Sequence, residues 1–140
     1  MPTTPSAAVP EVSVRARWGG RLVTAIAVAF LTFDAAIKVL TLPIAVTATT
    51  ELGYPVNVIP IIGVIEVVCL ALYLWPATSL LGAVLWVGYL GGAVATHVRA
   101  GSPLLSHVLF PIYIAGLLWA GLWLRRQRVR DVMRLAFDAG

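Results

Sequence analysis

This chain is short of charge. Only 11% of its 140 residues are Asp, Glu, Lys or Arg, and apolar types reach 60%. Ordinary soluble domains carry roughly 25% charged and about 45–50% apolar residues. The few charges are also unevenly placed. Between Leu22 and Leu124 there are five, namely Asp34, Lys38, Glu51, Glu66 and Arg99. So few polar groups cannot cover that much apolar surface in water, which excludes a water-soluble fold and leaves an integral membrane protein. Cysteine is almost missing. Cys69 stands alone, so an intrachain disulfide, a CxxC couple and a cysteine-only metal site are all excluded. No GxSxG, P-loop or dinucleotide fingerprint occurs, and chemistry by those routes has no support. The net charge of +4 does not point to nucleic acid, because the arginines cluster beside apolar runs. That placement reads as membrane orientation and contact with anionic lipid.

What is present is a series of four apolar runs of membrane-crossing length. Residues 1–14 contain three prolines and read as a disordered tail. Arg15, Arg17 and Arg21 precede a first span over 22–41, too long and too polar in its core for a cleaved signal peptide. Leu42-Pro43 ends it. The segment to Asn57 is too polar to cross, holds a Gly53-Tyr54-Pro55 turn, and is expected at the outer interface with one short helical stretch. Further spans are expected over 58–75, 79–98 and 105–124, the second and third joined by a tight Pro-Ala-Thr-Ser connection and the fourth bent at Pro111. Each run has 18–20 residues, enough to cross a hydrocarbon core of about 30 Å. Residues 127–140 form a basic, partly helical tail after a four-span domain over 15–126. Three basic residues flank the first span and five follow the fourth, whereas the two opposite loops hold only Arg99. Both termini are therefore expected in the cytoplasm. Nine arginines to one lysine in an Ala- and Val-rich chain fits a GC-rich bacterial genome, hence the inner membrane. Trp75, Trp119 and Trp123 read as an interfacial belt on the cytoplasmic side.

Ionisable residues inside a membrane cost roughly 2.5–3.5 kcal/mol each even on lenient insertion scales, so their relative positions matter. Counting ~1.5 Å per residue from the outer end of each span places Asp34 ~11 Å deep, Lys38 ~5 Å, Glu66 ~12 Å and Tyr89 ~14 Å. On the same count His97 and His107 lie within ~3 Å of the boundary, with Arg99 at it. All these groups fall in the outer half. Asp34 and Lys38 are i,i+4 on one face; Glu66, Cys69 and Tyr73 share a face of the second span, with Gly63 one turn outward. Tyr89, Ala93 and Thr96 form a stripe on the third span, with His97 at its edge, and Gly88, Gly91 and Gly92 offer small surfaces for close helix approach. Asp34, Lys38, Glu66 and Arg99 together sum to zero charge, which would favour their burial as one network.

The third span, GYLGGAVATHVRAG over 88–101, resembles the signature stretch of the DoxX-like family of small bacterial membrane proteins. Asp34-Ala-Ala-Ile-Lys38, Gly63-Val-Ile-Glu66 and LLWAGLWLR over 117–125 match the family on the other spans, and the resemblance covers about Gly20 to Arg126. It implies a four-helix membrane bundle and carries family motif positions onto Asp34, Lys38, Glu66, Tyr89, His97 and Arg99. The relatives that named the family are linked to quinone-coupled sulfur oxidation; more distant ones are chaperone-like or cargo-related membrane proteins. Some redox relatives use cysteine pairs, and the lone Cys69 counts against thiol–disulfide chemistry here.

Each polar residue admits a functional and a structural reading. Asp34–Lys38 is a proton-handling pair or a neutral clasp between helices. Glu66 is a general acid or base, or the buried partner of Lys38 or His97. His97 carries protons or caps a carbonyl at the interface, and Arg99 anchors the boundary or binds an anionic headgroup. The expected architecture is thus all-α, a four-helix transmembrane bundle with a pocket in its outer half. Glu66, Asp34 and His97 are the catalytic candidates, and Lys38, Tyr89, Arg99, Thr96 and Tyr73 the ligand-binding ones. No metal site is expected, since His97, His107 and Glu66 lack a close ligand spacing. The ligand would be a small lipid-soluble molecule, a quinone cofactor or an isoprenoid-like compound, and the protein an enzyme or an oxidoreductase subunit. The alternative is a scaffold or chaperone-like partner of another membrane protein, whose polar cluster is structural. Four short spans without an internal repeat leave little for a proton-coupled carrier, unless Gly88 and Gly92 mediate a homodimer.

Overall fold

A computed structural model describes residues 13–138, and every regular element among them is helical. The expected tail over 1–14 lies outside the described residues except for Ser13 and Val14. Ser13 caps the first helix, accepting a hydrogen bond from the Ala16 amide at 3.2 Å, and Val14 opens it. This helix, α1 (Val14–Val39), therefore begins eight residues before the expected span. Its 26 residues make it about 39 Å long, so the arginine-bearing turns extend past the apolar run. It stops at Val39 because Leu42 precedes Pro43 and is held extended (φ −67°, ψ 150°), while Thr41 takes a left-handed φ of 52°.

The polar segment after it forms α2 (Pro43–Glu51), the short helix expected there, and Gly53 at φ 87° turns the chain. A 3₁₀ turn leads into α3 (Ile59–Leu74), and Trp75-Pro76 ends that helix. The α4 helix (Ser79–Arg99) returns antiparallel to it. The fourth crossing departs from expectation. It is two pieces, a π-helical turn over Leu104–Val108 and then α5 (Phe110–Arg125), with Pro111 in the first turn of α5. Proline has no amide to bond back and its ring crowds the preceding turn, so the helix is widened and restarted instead of simply bent. Arg126 is extended and leads into α6 (Gln127–Asp138), which folds Val129 and Met133 against the bundle.

Four helical stretches, Val14–Val39, Val56–Leu74, Ser79–Arg99 and Leu104–Arg125, are long and apolar enough to cross a membrane. They pack as a closed ring in the order α1, α3, α4, α5, with α5 returning to α1. Trp86, Tyr73, Leu31, Leu118 and Leu122 fill the centre, and large apolar side chains such as Leu22, Ile61, Val64 and Leu81 point outward. That outward apolar surface suits a bilayer as solvent. This is a multi-pass membrane protein.

Close helix contacts run through glycines other than those expected. Gly82 sits against the backbone of Tyr73, Gly20 against Leu124, and Gly121 against Thr24. Gly63 lies so near α1 that a Cβ there would stand 2.7 Å from the Val39 amide nitrogen and 2.9 Å from Lys38 Cβ. Gly88, Gly91 and Gly92 have open space beside them, so among the described residues no helix packs on that stripe. Gly63→Ala must push α3 off α1, and overpacking of this kind costs about 1–3 kcal/mol. A matching fall in thermal midpoint, followed by circular dichroism in detergent, is the expected result.

Candidate functional site

The polar cluster is assembled from three helices. Side chains on a helix lean back toward its amino terminus, so Lys38 reaches down to the level of Asp34. Its Nζ donates to Asp34 Oδ2 at 2.6 Å, to Glu66 Oε1 on α3, and to Tyr89 Oη on α4 at 3.3 Å. The Tyr89 hydroxyl in turn donates to Glu66 Oε1. Burial is graded across the cluster. The Glu66 side chain is 0% exposed, that of Lys38 16% and that of Asp34 28%. Removing charged groups from water is expensive, and here mutual pairing offsets the cost. The three N–H groups of the ammonium and the one O–H of the phenol are all spent within the cluster.

Beside the cluster lies a cavity of about 760 Å³, within the usual range for small-molecule sites. It occupies the half of the bundle away from the termini. Leu31, Leu90 and Ile114 border it where the packed centre begins; Thr49, Leu52 and Tyr54 border it at the far end. Asp34, Lys38 and Tyr89 face it, whereas Glu66 is not among its lining residues. Phe30 and Phe110 form part of the wall, their rings 5.2 Å apart and edge to face. Two bonds hold the α2 end of the cavity in place. Tyr54 Oη and Thr96 Oγ1 are 2.9 Å apart, and Arg99 Nη2 donates to the Leu52 carbonyl at 2.6 Å.

The model of the DoxX-like family matches residues 22–121. The chain belongs to the DoxX-like family. No curated protein and no solved structure matches it. The DoxX-like match takes in the second and third membrane-crossing stretches whole and most of the first and fourth, and with them the whole cluster and the cavity wall.

Not every candidate residue of this DoxX-like chain joins the site. Asp34, Lys38, Glu66 and Tyr89 come together as one cluster. Thr96 and His97 line the cavity farther along α4 and make no bond to that cluster; His97 Nδ1 instead lies 3.1 Å from Ser102 Oγ, with its ring against His107. Arg99 is off the lining and bonded to a backbone carbonyl, so the expected four-residue charge balance does not form. Tyr73 is corrected outright as a cavity residue. It shares a face with Glu66, but two turns place it about 10 Å farther along α3. It is buried in the core there and donates to the Leu118 carbonyl at 2.7 Å. Among the described residues no three His, Cys, Asp or Glu side chains converge as a metal site would require.

Sequence reasoning missed Tyr54, Thr49, Glu51 and the Phe30–Phe110 pair. Tyr54 sat in a Gly-Tyr-Pro turn and was legible only as a turn. Phe30 had a usable signal, since Phe30, Asp34 and Lys38 recur every four residues on one face of α1.

Proposed function

We propose that this protein binds a small lipid-soluble molecule in the cavity and handles a proton at its polar wall. The observation that carries this reading is a 760 Å³ space, bounded largely by apolar side chains, with Asp34, Lys38 and Tyr89 on one wall. Asp34 is the group that meets the ligand and accepts or returns a proton. Glu66, behind Lys38 and Tyr89, is a positioning residue that holds both in place. Of the quinone and isoprenoid classes, a quinol or a prenyl alcohol fits the wall best, since each donates a hydrogen bond. The cluster itself has no free donor for a quinone carbonyl.

In this reading the chain lies in a bacterial inner membrane with both termini cytoplasmic, and the cavity is in the outer half. The arginine-rich ends support that orientation. The four-span domain of this reading covers residues 15–126. Mass spectrometry of small molecules retained after mild extraction tests the reading. One hydrophobic compound retained at about one per chain is expected. Protein recovered empty, but bound to another membrane protein, would favour the scaffold alternative. The complete burial of Glu66, which makes the cluster resemble a clasp, is the observation on that side.

A further inference from the structure

The expected neutral network of Asp34, Lys38, Glu66 and Arg99 does not assemble, because Arg99 is bonded to the Leu52 carbonyl. What remains is two carboxylates sharing one ammonium, one positive charge short of neutrality. The other cavity-lining groups do not supply it. Glu51 adds a carboxylate at the rim, and the two histidines face Ser102, Ser106 and each other. In a low-dielectric interior an uncompensated charge is costly, so a cation or a proton has to complete the set.

Hydrogen-bond accounting shows where. Lys38 has given its three hydrogens to Asp34, Glu66 and Tyr89, and Tyr89 has given its one to Glu66. Two carboxylate oxygens are left without a donor among the described residues: Glu66 Oε2, which is buried on a residue off the cavity lining, and Asp34 Oδ1, on a residue that lines it. The cluster therefore offers the cavity an open acceptor and no open donor. One turn before Asp34 on the same face stands Phe30, paired with Phe110. A carboxylate oxygen beside aromatic rings is the setting in which an ammonium gains both an ion pair and a cation–π contact.

We infer that the ligand of this cavity is a lipophilic amine, bound as its ammonium ion with the head on Asp34 Oδ1 and an apolar body along Phe30, Phe110 and Ile114. The inference rests on the cavity being a ligand site and, within that reading, replaces the neutral quinol or prenyl alcohol with a charged hydrogen-bond donor on the same Asp34 wall. Three water-soluble probes of one shape but different charge test it: benzylammonium, benzyl alcohol and benzoate. They are titrated at pH 7 onto the full chain in phosphatidylcholine nanodiscs, with empty nanodiscs as blank. Benzylammonium is expected to bind about tenfold tighter than benzyl alcohol, with benzoate weakest. Asp34→Asn is expected to remove that preference, so that benzylammonium binds no tighter than benzyl alcohol.

Equal binding of the amine and the alcohol, or tighter binding of the alcohol, would overturn the inference. That result would mean a proton completes the cluster, and the cavity would still be a ligand site. Failure of all three probes would overturn the inference and the cavity reading together. The wild-type ranking decides between these outcomes even if Asp34→Asn fails to fold.

Discussion

Lys38→Met is expected to cost about 3–5 kcal/mol of stability, the usual penalty for removing one partner of a buried ion pair. Methionine keeps the length of the side chain but leaves the wholly buried Glu66 facing Asp34 with no cation between them. Glu66 Oε1 would keep the Tyr89 hydroxyl as a donor, while Oε2 already lacks a partner. Folded yield should collapse, and the surviving fraction should unfold at much lower denaturant. The double variant Lys38→Met/Glu66→Gln should recover most of the loss, because it withdraws one of the two stranded charges. Unfolding in a detergent titration, read as a double-mutant cycle, measures this directly. A Lys38→Met protein within about 1 kcal/mol of wild type would put this pair with exposed surface bridges and count against the cluster as a structural clasp.

Filling the cavity should have the opposite profile, loss of ligand with no loss of fold. Gly88 and Gly92 both line the cavity, and a Cβ at either position meets nothing within 4 Å. Gly88→Leu/Gly92→Leu therefore places two leucine side chains into empty space. Replacing helix-interior glycine with a good helix former gains up to about 1 kcal/mol per site, so the thermal midpoint should hold or rise. Retained small molecule should fall by at least about tenfold, measured by mass spectrometry against wild type at equal protein load. If the same two glycines instead form an interface with a second copy, the variant will lose dimer mass while keeping its ligand. Native mass spectrometry reads both quantities in one experiment and separates the two roles.

Residue by residue, the sequence was most informative where one physical quantity dominated. Asp34 and Glu66 come from chain segments running in opposite directions, yet counting residues from the span ends put both at nearly one depth. Rise per residue is invariant along a helix, and the two carboxylates do share one lysine. Tyr73 shows where such reasoning fails. It was grouped with Glu66 by face alone, and a shared face says nothing of level. Arg99 failed for another reason. Charge arithmetic counted it into the network, but a long guanidinium side chain takes whichever acceptor the backbone presents, here the Leu52 carbonyl. The glycine stripe at 88–92 was ambiguous in principle, since small residues admit either a neighbouring helix or a void.

From its sequence alone this protein was already all-helical, membrane-spanning and crossed four times, because apolar run length and the placement of charge suffice to decide those properties in a bilayer. The DoxX-like resemblance was legible there too, on the stretch 88–101. Tertiary structure alone decided that Glu66 is off the cavity lining, that Asp34 lines the cavity with one oxygen unpartnered, and that Arg99 stands outside the cluster. Those facts depend on the reach of individual side chains across helices distant in the chain, which no periodicity encodes.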